Sequence, residues 1–342
     1  MAIYLTRRLL QTVFTVFLAS IGFFLLIHFE VGPPCAPAAL GCREALDLNA
    51  PISTQYVVWA SHLLRGDFGT SIGGQPVTAL ILQRLPPTIL LVGVAFLVQQ
   101  MIALPLGVLA ATRQYSRMDG AFTVGSYIAL SLPAFVIGLL LIYFFGVQWG
   151  LLPVGHVQDY SIPLFWSPDW FIAAWHNPPY VLGDLMRHLA LPALVLALTG
   201  IAIDSRFMRS AMLQVLSQDY IRTAKAKGVP RRLVVFKHAF RNALLPIITN
   251  IGLYLPSLIG GVLVVELVFS WDGLGYLFDA STGRSLQLAY GGPFTFSSYP
   301  DMPTLQALLI LSIVATLLAN LLADLAYAWL DPRIRYKSRS GG

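Results

Sequence analysis

Apolar runs long enough to cross a bilayer constrain this chain more than any other feature of it. A hydrocarbon core about 30 Å thick needs about 20 apolar residues of helix to span it. Runs of that kind occupy residues 9–29, 88–111, 121–147, 243–268 and 305–330, with a shorter one at 189–203. The expectation is therefore an all-α polytopic membrane protein with six transmembrane helices. Composition agrees, since 56% of the 342 residues are hydrophobic, 11% are charged and the mean hydropathy is +0.70, which excludes an ordinary soluble domain. Arg7 and Arg8 resemble the basic start of a signal peptide, but the apolar run behind them is too long and enters "EVGPPCAPAA" without a cleavage pattern. It is read as a true span.

The basic excess does not call for nucleic acid. With the N-terminus inside, 17 of the 22 cations fall on inner segments: Arg7, Arg8, Arg113, Arg117, nine between residues 206 and 241, then Arg333, Arg335, Lys337 and Arg339. Only Arg43, Arg65, Arg84, Arg187 and Arg284 fall outside. The positive-inside rule then puts both termini in the cytoplasm. The seven tryptophans lie beside or between the proposed spans, as expected for rings at headgroup level.

Residues 1–29 form the N-terminus and first span, 30–87 an extracytoplasmic cap, 88–330 a five-helix core with a cytoplasmic loop at 206–242, and 331–342 a cytoplasmic tail. In the cap, Cys35 and Cys42 stand where oxidising conditions permit a disulfide, and two thiols without further ligands are half a zinc site. Bonded and free cysteines remain equal alternatives, and no metal is expected. Ser53 can N-cap a helix whose Tyr56, Trp59, Ala60 and Leu63 share a face, suited either to the membrane surface or to packing on the protein. Residues 148–187, rich in tryptophan and proline, read as an ordered but irregular lid, and 270–303 as a further outer segment.

The one extended inner segment contains "SQDYIRTAKAKGVP", residues 217–230. Ser217 can cap a helix of about three turns, Asp219 sits in the first turn, Lys225 and Lys227 in the last, and Gly228 suits a left-handed closing position. Pro230 then starts a second helix in which Leu233, Phe236, Phe240 and Ala243 form an apolar face, with Lys237 and Arg241 on another. The first helix is left standing off the membrane. Anionic lipid attracting positive charge and docking of a cytoplasmic partner both account for it.

At "RTAKAKG", residues 222–228, the segment resembles the EAA loop of ABC importer permeases, with Arg222 departing from the general pattern. The longer "QDYIRTAKAKGVPRRLVVFKHAFRNALLP" is similar to the form found in the dipeptide/oligopeptide/nickel branch. So are "YLTRRLLQT" (4–12), "LLRGDFGTS" (63–71), "RLPPTI" (84–89), "SLPAF" (131–135), "WGLLPVG" (149–155), "VVELVFSWDGLG" (264–275) and "YAWLDPRIRY" (327–336). The cysteine-bearing part of the cap and an insertion around residues 281–296 depart from it.

The resemblance implies a type I ABC importer permease fold in the bacterial inner membrane, and the first of two permease subunits. It implies a homologous second permease, two cytoplasmic ATPases that use ATP and Mg, and an extracytoplasmic solute-binding protein. Asp219, Tyr220, Ile221, Arg222, Thr223, Ala224, Lys225, Lys227 and Gly228 would form the ATPase-coupling helix, with the second helix passing motion to the fifth span. Di- or oligopeptides are the implied solute, with nickel chelates, glutathione or oligosaccharides as alternatives.

The residues themselves give no catalytic constellation. There is no Gly-Lys dipeptide, hence no Walker phosphate loop, and no bound cofactor is expected. His28, Asp204, Glu266 and Asp324 all fall near span ends, unlike the central carboxylates of a proton-driven carrier. A stand-alone carrier or channel is the remote alternative. Gln99, Gln100, Ser131, Thr199, Asn250, Tyr254 and Ser257 are candidates for a polar translocation path, or else bonds between helices. Asp204 either pairs with a cation or faces water at the inner mouth.

Overall fold

The computed structural model describes residues 2–30, 50–244, 247, 261–282 and 300–330, and it is helical, with no strand among them beyond a single bridge between Thr70 and Pro76. Cys35, Cys42, Asn250, Tyr254, Ser257, most of the fifth apolar run, most of the insertion and the C-terminal tail lie outside the described residues, as do the side chains of His28 and Asp324. Four helices have the length and hydropathy to cross a membrane, and a bent pair makes a fifth candidate.

The first candidate is α1, Ala2–Glu30. Helix α2, Ile52–Leu64, follows in the cap. Its Tyr56 and Trp59 rings stand 5.5 Å from the Phe24 ring, and the Tyr56 and Ser20 hydroxyls are 2.8 Å apart. These aromatics are spent on the protein rather than on the membrane surface. Pro51, not Ser53, occupies the N-cap position.

Helix α3, Val77–Thr112, begins well before its apolar run and passes through Pro86, Pro87 and Pro105. Helix α4, Arg117–Ser131, is capped by Ser116 accepting from the Asp119 amide. It meets α5, Ala134–Leu141 extended by a π-helical turn over Ile142–Gln148, at an angle of 102°. Leu132 at the break is extended, because a following proline clashes with the helical conformation of the residue before it. The run at 121–147 is thus a broken span, and Pro133 is where it breaks.

The lid holds α6, Pro168–His176, capped by Ser167, and Trp170 is buried against Phe165. "NPPY" does not continue the lid but starts α7, Pro178–Leu216. At 39 residues α7 is about 58 Å long, so the short run at 189–203 is only its middle. Helices α3 and α7 form the most extensively packed pair. Backbones come close at Gly107, where a Cβ would fall 2.5 Å from Met208 Cβ and 2.6 Å from the Ser205 carbonyl oxygen, while Gly200 leaves room for the side-chain amide of Gln99. Small residues at crossing points are how helices approach in lipid, where no hydrophobic force draws them together.

Beyond α7 come α8, Asp219–Ala226, and α9, which starts at Arg231–Leu233 and continues as a π-helix over Val234–Phe240. The remaining helices are α10 at 261–268, α11, Leu274–Ser281, and α12, Met302–Leu330, which packs along α1.

Candidate functional site: the loop helix and the two ends of the bundle

Helix α8 is shorter and differently capped than the residues suggest. It spans 8 residues, about two turns. Ser217 is not its cap, since Ser217 closes α7 with its hydroxyl donating to the Gln214 carbonyl. Gln218 holds the N-cap position without a side-chain bond. Ser217 is helical at φ −85° and ψ −8°, and a capping residue must be extended.

The C-terminal expectation holds. Gly228 has φ +77°, its N–H donates to the Lys225 carbonyl, and the Val229 N–H donates to the Ala224 carbonyl. These two reverse bonds close the helix and depend on the left-handed glycine.

One face of α8 is charged and open. Asp219, Tyr220, Arg222, Thr223, Lys225 and Lys227 are exposed and Ala224 is half-buried, with Arg222 3.5 Å from Asp219. Ile221 is the buried residue of the helix, fully enclosed. Hence α8 does not stand free of the protein. The Tyr220 hydroxyl also accepts from the Asn242 side chain at 3.0 Å.

The apolar face expected on α9 holds at its far end, where Ala243 is buried and Phe240 half-buried, and is rotated at its start: Leu233 and Phe236 are 49% and 61% exposed, while Val234, Val235 and Ala239 are buried. A π-helix closes its bonds over one more residue per turn than an α-helix, so the inward set advances from i, i+3, i+7 to the observed positions. Exposed Lys237 and Arg241 accompany the outward aromatic edge.

The path candidates sort unevenly. Gln99 is fully buried, so it lines no surface of this chain, and its Nε2 and that of Gln100 each donate to Asp204 Oδ2 at 2.7 Å. Asp204 is itself fully buried between α3 and α7, not at a watery mouth. Of the neighbouring cations, Arg209 forms a two-pronged bond to Asp119 at 2.7 and 2.9 Å, and Arg206 lies over the Tyr127 ring at 4.7 Å. Ser131 is exposed at the helix break and bonds the Tyr127 carbonyl, and Thr199 is half-buried.

At the other end of α3 the residues form a knot that spacing alone does not reveal. Glu266 is fully buried and accepts from Thr88 Oγ1 at 2.7 Å, the Gly275 amide at 2.5 Å and the Tyr276 amide at 3.3 Å. It caps the start of α11 from a distant position. A Cβ on Gly273 would lie 2.2 Å from Glu266, so the loop needs its glycines. Trp271, read as a headgroup anchor, is instead fully buried and donates to the Pro87 carbonyl at 3.0 Å.

Arg84 bonds Asp272 at 2.8 Å, and His156 approaches Asp272 at 3.8 Å. Burial pushes the Asp272 carboxyl up, yet the His156 contact and the Arg84 charge outweigh it and hold the carboxyl below its ordinary value. Beyond the knot, Ser71 and Thr304 both donate to the buried Asp301 carboxylate, at 2.6 and 2.8 Å, fastening the cap to the start of α12. Among the described residues no group of three or more His, Cys, Asp or Glu could hold a metal ion.

An all-helical body with several helices long and apolar enough to cross a membrane defines a class, that of an integral membrane protein. The chain belongs to the family of binding-protein-dependent transport system inner membrane components, whose pattern matches residues 103–336. It is similar to the oligopeptide transport system permease AppB of Bacillus subtilis, 40% identical with 98% of this chain and 100% of the relative covered. It is also similar to the glutathione transport system permease GsiC of Salmonella choleraesuis, 32% identical over 98% of this chain and 99% of that one. In fold it resembles a chain of the MetNI methionine ABC transporter solved in inward-facing conformations, with a TM-score of 0.51, 17% identity, and 74% of this chain and 96% of that chain covered. The fold is that of a type I importer permease. The chain is a multi-pass, non-catalytic component of a bacterial inner membrane, and its family implies ATPase and solute-binding partners.

Proposed function

We propose that this chain is one of two permease subunits of an ATP-driven importer of di- or oligopeptides, and that α8 is its handle for a cytoplasmic ATPase. The observation that carries this reading is the shape of α8. A two-turn helix presents Arg222, Lys225 and Lys227 outward, closes on a left-handed glycine, and is held from behind by one buried isoleucine. A lipid-facing helix would turn its apolar side out, and this one turns it in.

In this reading six spans place both termini in the cytoplasm, with residues 30–87 as the outer cap and 206–242 as the coupling loop. A homologous permease supplies the other wall of the path, two ATPases hydrolyse ATP with Mg, and a binding protein docks on the outer segments and sets most of the specificity. Peptide as the solute is supported by the likeness to AppB, and glutathione, as in GsiC, is itself a small peptide. The test is purification in mild detergent with identification of what accompanies the chain. Two ATPases and a sister permease are expected, together with peptide uptake by the reconstituted set that stops without ATP. Uptake by this chain alone in liposomes would refute the proposal.

A further inference from the structure

We propose that Ile221 is the peg through which α8 drives the membrane body, and that the α3–α7 pair is part of what it drives. This rests on α8 being the ATPase handle and names how the handle is joined.

Ile221 shares one enclosed apolar cluster with Val108 and Ala111 of α3, Met208 and Met212 of α7, Val234 and Ala239 of α9, and Ala243 and Ile247 at the start of the fifth apolar run. Helix α9 packs on both α8 and α7, so it is a wedge between handle and body. Its polar contacts point the same way. Arg231 Nη2 donates to the carbonyl of Thr112, the last residue of α3, at 3.0 Å, and Asn242 ties α9 to Tyr220. A push on α8 thus meets α3 and α7 at their near ends.

Those two helices are built to answer as one body. Gly107 lets their backbones approach, Gly200 admits the Gln99 side chain, and buried Asp204 gathers the amides of Gln99 and Gln100 across the contact. Packed interiors transmit displacement because they have few discrete arrangements rather than continuous give. Replacing Ile221 by a small residue would leave a void behind the handle, so that α8 could shift without moving what it rests on. Its charged outer face would remain intact.

The experiment compares wild type, Ile221→Ala and Ile221→Val in the complete complex reconstituted in liposomes, measuring ATPase copurification, ATP hydrolysis and solute taken up per ATP. The expected result is undiminished copurification in all three, with uptake per ATP reduced roughly tenfold in Ile221→Ala, within the range for residues that carry coupling between distant sites. Ile221→Val should lie close to wild type. Because the ratio is insensitive to the amount of folded protein, a fall in total activity at constant uptake per ATP would overturn the proposal. So would loss of the ATPases from Ile221→Ala, which would make Ile221 part of the docking surface. If Ile221→Ala fails to accumulate, Ile221→Cys, smaller than valine and still apolar, keeps the test alive, and an unchanged ratio there is equally fatal. Failure of the handle reading looks different: cysteines placed at Arg222 and Lys225 in the wild-type background would form no cross-link to an ATPase.

Discussion

Two parts of α3, about 36 Å apart between Thr88 and its last residue Thr112, are fastened by opposite means. At the Thr88 end, buried polar groups hold distant segments: Glu266 on Thr88 and the start of α11, Trp271 on the Pro87 carbonyl, Arg84 on Asp272. At the Thr112 end the attachment is mostly apolar, with Ile221, Met208, Met212 and Val234 enclosed and the charges left outside. Hydrogen bonds fix geometry, and losing one in a buried place leaves a donor or acceptor stranded at about 1–3 kcal/mol. Apolar packing transmits a push without fixing a single donor and acceptor. In the proposed coupling scheme the first attachment stays put and the second is moved.

The largest effect that could break this contrast is expected at Glu266. Glu266→Leu strands the Thr88 hydroxyl and two amides, and should cost about 4 kcal/mol, read as a lowered unfolding temperature of the purified protein in detergent. A loss no greater than that of a surface substitution would show the knot to be dispensable.

Next comes the middle of α3. Gly200→Ala puts a Cβ into the Gln99 side chain and should cost about 2 kcal/mol by forcing the pair apart, with Gln99→Ala in the same background recovering part of it. Asp272 supplies a smaller, pH-dependent effect. Its carboxyl is held low in the folded protein, so its contribution is present above the unfolded value and is lost as pH falls through the folded one. Acidification below about pH 4 should weaken wild type by about 1 kcal/mol more than Asp272→Asn, measured as the difference between their denaturation curves. At the moving end, Lys225→Ala with Lys227→Ala should change stability by less than about 0.5 kcal/mol while reducing ATPase copurification. A stability loss comparable to that of Glu266→Leu would erase the distinction between the ends.

What could be read from residues alone follows from which interactions are local. Apolar length located α1, α3, α7 and α12, and the left-handed Gly228 was legible because helix closure involves only neighbours. The break at Pro133 is local as well, since the proline acts on the residue before it and Leu132 goes extended. Ser217 misled because a serine two residues ahead of Asp219 serves equally well as the end of one helix or the start of another. The face of α9 was right at Phe240 and Ala243 but missed at Leu233 and Phe236, because spacing was counted at an α-helical period and nothing in "VVFKHAF" announces the π-turn. The knot lay in two stretches, "RLPPTI" and "VVELVFSWDGLG", singled out for their likeness to a family, yet 178 residues separate Thr88 from Glu266. No periodicity spans such a distance.

The Asp301 carboxylate also sets an order of assembly. Ser71 donates to it across 230 positions of chain, so the cap's anchor does not exist until the last helix begins to emerge. At ordinary rates of synthesis the nascent cap waits on the order of 10–50 s for its fastening, and a chain ended before residue 301 would never receive it.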